Sequence, residues 1–422
     1  MIRSFFRWLI SPTGVAVCLI GIVQIIAWGT SFYSLGVLGK PVVADTGWSN
    51  GIVFAGLTVG LLVSALISTP IGAAIDNYGA RMVMAVGCII LTATLLWVSQ
   101  VRDQWSYLAA WAAIGVGMRM TLYDAAFAAM VQVSPNNGRR AIAFLTLFGG
   151  FASTVFWVIG HELVTAFGWR QTYVIFAFLN LLVCAPLCLI GLARREPESE
   201  AGQQTAAAAP SASAHQTAPL EGTARTIAMV LFCIVMSGNA LVFGVGAVHL
   251  VGLIEASGVA LALAVTIASF KGIAQVAGRL WEIIWGQKIP PVGLGRLAIG
   301  LVPLAFIVLL AGGADWLTAA TFTVIFGVSN GLVTVVRGAV PLALFGAEGY
   351  GKILGIVATP ILLFNALSPM LFALIVDASS YRVGTWVLFA IAIASMLAME
   401  FMGAWYRRHL ARTATATSAA GG

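Results

Sequence analysis

The sequence predicts an all-α membrane protein of twelve transmembrane helices in two pseudo-symmetric bundles of six, and three observations predict it. Of 422 residues, 60% are hydrophobic and only 9% charged, whereas a soluble chain carries about 25% charge. Apolar stretches of about 20 residues, long enough to cross a bilayer, recur twelve times between short polar breaks. One polar segment, 194–225, rich in Ala, Ser, Gln and Pro, divides them six and six. The composition excludes a soluble enzyme.

The first six spans are predicted at 13–38, 48–75, 81–101, 105–133, 140–166 and 169–193. The second six fall at 226–252, 258–286, 292–311, 315–344, 350–376 and 382–406. The organisation is therefore an N-terminal bundle (1–193), a disordered cytoplasmic linker without apolar periodicity (194–225), and a C-terminal bundle with a short tail (226–422). Orientation comes from Lys and Arg. With both termini inside, 15 of the 22 basic residues sit at cytoplasmic ends, among them Arg3, Arg7, Arg81, Arg139, Arg140, Arg194, Arg195 and Arg407. Only Lys40, Arg102, Arg170 and Arg382 sit on the other face. That bias sets topology in a cytoplasmic (inner) membrane.

The net charge of +7 is thus a topology signal and not a nucleic-acid signal. Five cysteines, all inside apolar runs, argue against a disulfide framework. Cys184 and Cys188, at i and i+4 on span six, form a candidate pair for a thiophilic ion; as buried apolar residues they need no such role, and no metal site is assigned. No CxxC, HExxH, Walker or GxSxG arrangement stands in a context that supports chemistry, so no cofactor and no catalytic residue is expected. Transport energy would have to come from a gradient.

The halves echo each other. Span two ends in Gly72, Asp76, Gly79 and Arg81; span eight ends in Gly278, Glu282, Gly286 and Lys288. Gly115-Val116-Gly117 on span four matches Gly327-Val328-Ser329 on span ten. Repeated halves place a substrate site near the midplane.

The Gly72–Arg81 segment resembles the GxxxDxxGxR loop between helices two and three of the major facilitator superfamily. The resemblance covers about 380 residues, all but linker and tails. It implies two six-helix bundles rocking about a central site, and a role for Asp76 and Arg81 in latching the cytoplasmic side. It also implies that spans one, four, seven and ten line the cavity. Within the superfamily, WGTSFYSLGVLGKPVVADTGWS (28–49) looks like the first helix and loop of the monocarboxylate and oxalate–formate carriers. Lys271 stands where the human monocarboxylate carriers place an Arg-containing segment, and the Asp accompanying it there is missing.

Four ionisable residues stand out near mid-bilayer, where a charge is costly and marks function by default. They are Arg119 and Asp124 on span four, Lys271 on span eight and Arg337 on span ten; none lies on spans three, six, nine or twelve. Lys271, Gln275 and Arg279 share one helix face at i, i+4 and i+8, and Lys271 and Gln275 are expected among the substrate-binding residues. Arg119 and Asp124, about 140° apart on a continuous helix, do not. Arg119 is expected to join Lys271 in a cationic pocket for a carboxylate. Asp124 is expected to pair with Arg337 as an inner gate, or else to carry the coupling proton. Gln24, Trp28, Ser31, Tyr33 and Ser34 on span one and Asn239 and His249 on span seven are polar candidates for the substrate, or for helix–helix hydrogen bonds.

The expected function is secondary active transport of a small, monocarboxylate-like organic anion, coupled to protons or a counter-anion. The alternative is efflux of a toxic compound, either a drug or a trivalent metalloid such as arsenite. The expected partners are that small molecule and membrane lipid, with the chain working as a monomer.

Overall fold

The computed structural model describes residues 10–197 and 219–420. Arg3, Arg7 and most of the predicted linker lie outside them. The linker's two ends are ordered: the Glu196 N–H donates to Val133 O at 2.8 Å, and the Leu220 N–H to Leu344 O at 2.9 Å. Span seven begins at Gly222, four residues before the predicted start.

All regular structure among the described residues is helical. Ten helices are long and apolar enough to cross a membrane, eleven if the bent pair Asn50–Leu66 and Ser68–Tyr78 is one span. One of the ten, Gly138–Gly191, holds 54 residues. At 1.5 Å per residue it would run about 80 Å, more than twice the hydrocarbon core. It is broken at Gly168, whose φ of 76° only glycine adopts freely. Spans five and six meet there, as the sequence predicts.

The spans start where the sequence supplies caps. Ser11 Oγ accepts from Gly14 N with Pro12 at the first helical position, Ser49 Oγ accepts from Ile52 N, and Asp103 Oδ1 accepts from Ser106 N. The Gly-Trp-Ser turn has a plain physical use. Gly47, at φ 69°, ends the helix Leu35–Thr46, and Ser49 opens the next.

The chain forms two compact units. The first comprises 1–216 together with 346–366; the second comprises 217–345 and 367–422. Helix Tyr350–Ala378 therefore belongs to the first unit up to Ala366 and to the second beyond it.

In the first unit, spans two and four pack along a ladder of small residues. Tyr107 donates to Val53 O at 2.8 Å and Ser64 to Gly115 O at 2.6 Å. A Cβ on Gly115 would fall 2.1 Å from Gly60 O, so these backbones are in direct contact. Gly56, Gly60, Ser64 and Ser68, each four apart, make this face, a small-residue stripe of the kind membrane helices use for close approach. The second unit uses the same device between spans eight and ten. A Cβ on Gly327 would fall 2.7 Å from Lys271 O, and one on Gly331 would fall 2.3 Å from Gln275 O.

Candidate functional site

Span four is not one helix. It runs Gln104–Thr121 and restarts as Tyr123–Val133, with Leu122 between them at φ −78°, ψ −167°, an extended conformation. The break leaves carbonyls without intrahelical partners. Gln24 of span one meets one of them, donating from Nε2 to Thr121 O at 2.8 Å, and its Oε1 accepts from Trp28 Nε1 at 3.2 Å.

The same break corrects the expectation that Arg119 and Asp124 face apart. Arg119 is in the last turn of one half-helix and Asp124 in the first turn of the next. Each charge complements its helix end, and the two form an ion pair of 3.3 Å, Nη1 to Oδ2. Both are buried, 3% and 7% exposed. Angular spacing on an ideal helix fails here because the helix axis restarts at Tyr123.

Arg119 also holds a second break. Span two bends by 56° at Ile67. Ser68, just below the bend, accepts from Arg119 Nε through its Oγ at 2.5 Å, and its carbonyl accepts from Nη2 at 3.4 Å. Ala65 O, just above the bend, accepts from Thr359 Oγ1 at 3.2 Å. The fork of Arg119 therefore ties the two interrupted spans to each other. The ladder ending at Ser64 and Ser68 was the sequence signal that could have found this partner.

At the far end of the half-helix Ser68–Tyr78 lies the signature loop. Gly79 sits at φ 80°, which explains the glycine at that place in the motif. Gln132 clamps the turn, donating to Ile75 O and accepting from Ala80 N. Asp76 accepts from Gly351 N and Lys352 N, both at 2.8 Å, and so caps the helix that starts at Tyr350. Gly72 permits it: a Cβ there would lie 2.2 Å from Gly351 O. Arg81 is exposed and has no partner among the described residues. Replacing Asp76 with Ala should remove about 1–2 kcal/mol of capping. Hydrogen exchange should show the Gly351 and Lys352 amides opening roughly tenfold faster or more, with spans three and four unchanged.

Around the upper break the first unit gathers aromatic rings. Trp28 packs on Phe32, Tyr33 and Tyr123 at centroid distances of 5.2, 5.9 and 5.1 Å. Ser31 donates to Ala27 O and Ser34 to Ser31 O.

In the second unit the predicted stripe Lys271, Gln275, Arg279 is present on helix Leu261–Ile284. Because Gly327 and Gly331 bring span ten onto the backbone at Lys271 and Gln275, those side chains leave along the flank. Lys271 reaches span seven, donating to Gly246 O at 3.1 Å, with Nζ 5.6 Å from the Phe326 ring centroid. Gly246 is in the last turn of helix Gly222–Val248, where carbonyls carry partial negative charge. Lys271 has no carboxylate partner among the described residues. Gln275 is half-buried and has no hydrogen-bond partner among them either. Arg279 is buried and within 3.5 Å of Thr334 Oγ1. Arg337 is half-buried on span ten.

The remaining candidates on span seven are occupied locally. Asn239 Nδ2 donates to Val235 O of its own helix at 2.8 Å. His249 lies between Tyr381 Oη, at 3.3 Å, and Pro369 O, at 3.1 Å, against Phe372. All five cysteines are free. Cys88 of span three is in thiol contact with both Cys184 and Cys188, a neighbour the sequence did not reveal. Among the described residues no group of three His, Cys, Asp or Glu side chains is arranged to hold a metal ion.

Comparison with known proteins agrees with this architecture. No curated protein matches the sequence. The human organic anion transporter MFSD10 (TETRAN) is similar in structure at a TM-score of 0.70 and 14% identity, over 92% of this chain and 100% of that one. The transporter FucP in its outward conformation gives 0.68 at 13% identity, over 93% and 99%. The proton:xylose symporter XylE gives 0.66 at 13% identity, over 93% and 95%. At these identities the likeness is one of fold. The sequence itself matches the Major Facilitator Superfamily over residues 17–310, more than half of the chain. The chain belongs to the major facilitator superfamily and is a multi-pass membrane transporter, not an enzyme.

Proposed function

We propose that this transporter moves a small organic monoanion across the cytoplasmic membrane by alternating access, coupled to protons or to a counter-anion, with both termini inside. The observation that carries the reading is Lys271. A cation inside a span is expensive unless compensated, and this one is met by a carbonyl and a ring face but by no acid among the described residues. A bound carboxylate would supply the missing charge. Arg119 is less suited to that role than the sequence implied, because Asp124 and Ser68 already engage its fork. We assign it to holding the two helix breaks, and we assign gating to Asp76, Asp124 and Arg337. Arg81 keeps a gating assignment only through the motif. The likeness to an organic anion transporter supports the fold and is consistent with the substrate class.

The test is uptake of labelled small carboxylates into liposomes holding the purified protein, with and without an inward proton gradient. Accumulation that follows the gradient identifies proton coupling; uptake that requires anion inside identifies exchange. Absence of uptake for every carboxylate contradicts the reading.

A further inference from the structure

Next to Lys271 the second unit presents a second unmet group. Gln275 lies one helical turn below Lys271 on the same face, about 5–6 Å away along the axis. Its amide offers two donors and an acceptor, and no described residue uses them. The amide is half-buried but not sealed off, so a ligand entering beside Lys271 can reach it.

The flank beside Lys271 is aromatic. Phe326 lies under the ammonium, and Phe243, half-buried on span seven, packs on it with centroids 4.9 Å apart. Phe243 precedes Gly246, the carbonyl that Lys271 holds, by three residues. It therefore sits on the same side of span seven, one turn along. The arrangement is one cation with rings on its flank and one amide a turn away.

We infer that Gln275 selects substrate: the site prefers a monocarboxylate carrying a hydroxyl or other hydrogen-bonding group about one helical pitch from the carboxylate, on a flat apolar body. This rests on the anion reading above, with Lys271 receiving the carboxylate. Gln275 receives the distal group, and the half-buried Phe243 borders the body between, with Phe326 behind it in the core. 4-Hydroxybenzoate has this outline, with its hydroxyl across the ring from its carboxylate. Benzoate has the same outline without the distal group.

The experiment is equilibrium binding of labelled 4-hydroxybenzoate and benzoate to the purified full-length protein in lipid nanodiscs. The wild type should bind 4-hydroxybenzoate about tenfold more tightly than benzoate, the scale of one well-placed hydrogen bond. Gln275→Leu, which keeps the volume and removes the amide, should erase that preference and leave benzoate within about twofold. Lys271→Gln should weaken both anions. Gln275→Asn, with a shorter amide, should give an intermediate preference at an unchanged melting temperature, which separates recognition from folding. If both anions bind through Lys271 but Gln275→Leu leaves the preference intact, or weakens both equally, the inference is wrong and the anion reading stands. If neither anion binds the wild type, the inference is wrong for this site, and carboxylate uptake decides the anion reading separately.

Discussion

Asp124→Leu is expected to destabilise the protein by about 3–5 kcal/mol, because it strands the buried Arg119 guanidinium at the end of its half-helix. Arg119→Met should cost a similar amount by removing the 3.3 Å ion pair with the carboxylate and leaving both helix breaks untied. The double variant, Arg119→Met with Asp124→Leu, removes both charges together and should recover much of the loss, since a buried ion pair is far cheaper to replace than to halve. Ser68 and the carbonyls at the breaks would still lack their tie, so recovery should be incomplete. Thermal unfolding of the four proteins in one detergent measures this directly. Equal losses in the single and double variants would show that the pair is not a unit.

The largest effect on transport is expected from Lys271→Gln. The Gln amide can still donate to a carbonyl, and Gly327 packs on the Lys271 backbone and not on its side chain. The fold should therefore survive while the charge is lost. Hydrogen bonds to charged groups are worth about 1.5–3 kcal/mol, so anion affinity should fall by about 10- to 150-fold. Lys271→Arg keeps the charge and should recover part of it, though a planar fork fits the Gly246 carbonyl and the Phe326 face differently. Saturation curves for uptake distinguish a loss of affinity from a loss of turnover.

What the sequence made legible follows from periodicity and chain chemistry. Apolar length located the spans, and the spacing of Gly79 from Asp76 located the loop that caps helix Tyr350–Ala378. The 3.6-residue repeat put Lys271 and Gln275 on one face, where the structure has them. The break at Leu122 was illegible because no glycine or proline marks it. It is held by tertiary contacts: Gln24 on Thr121 O, and the Arg119–Asp124 pair itself. Projecting Arg119 and Asp124 onto an ideal helix separated two residues that meet. Arg119 on Ser68 was hidden for a different reason. The stripe from Gly56 to Ser68 is visible in sequence, but which span it packs on is decided by the fold.

The thiols show the same limit. Two of them are related by helical spacing and were visible. Cys88 reaches them from span three, across a separation of nearly a hundred residues that no local pattern encodes.

The most direct test of the central claim is carboxylate exchange without any imposed gradient, so that the coupling ion does not enter. Liposomes loaded with unlabelled carboxylate would receive labelled carboxylate outside, with wild type and Lys271→Gln compared at matched protein content and melting temperature. The account predicts exchange by the wild type and its loss in the variant. Exchange by Lys271→Gln at the wild-type rate and affinity would contradict it.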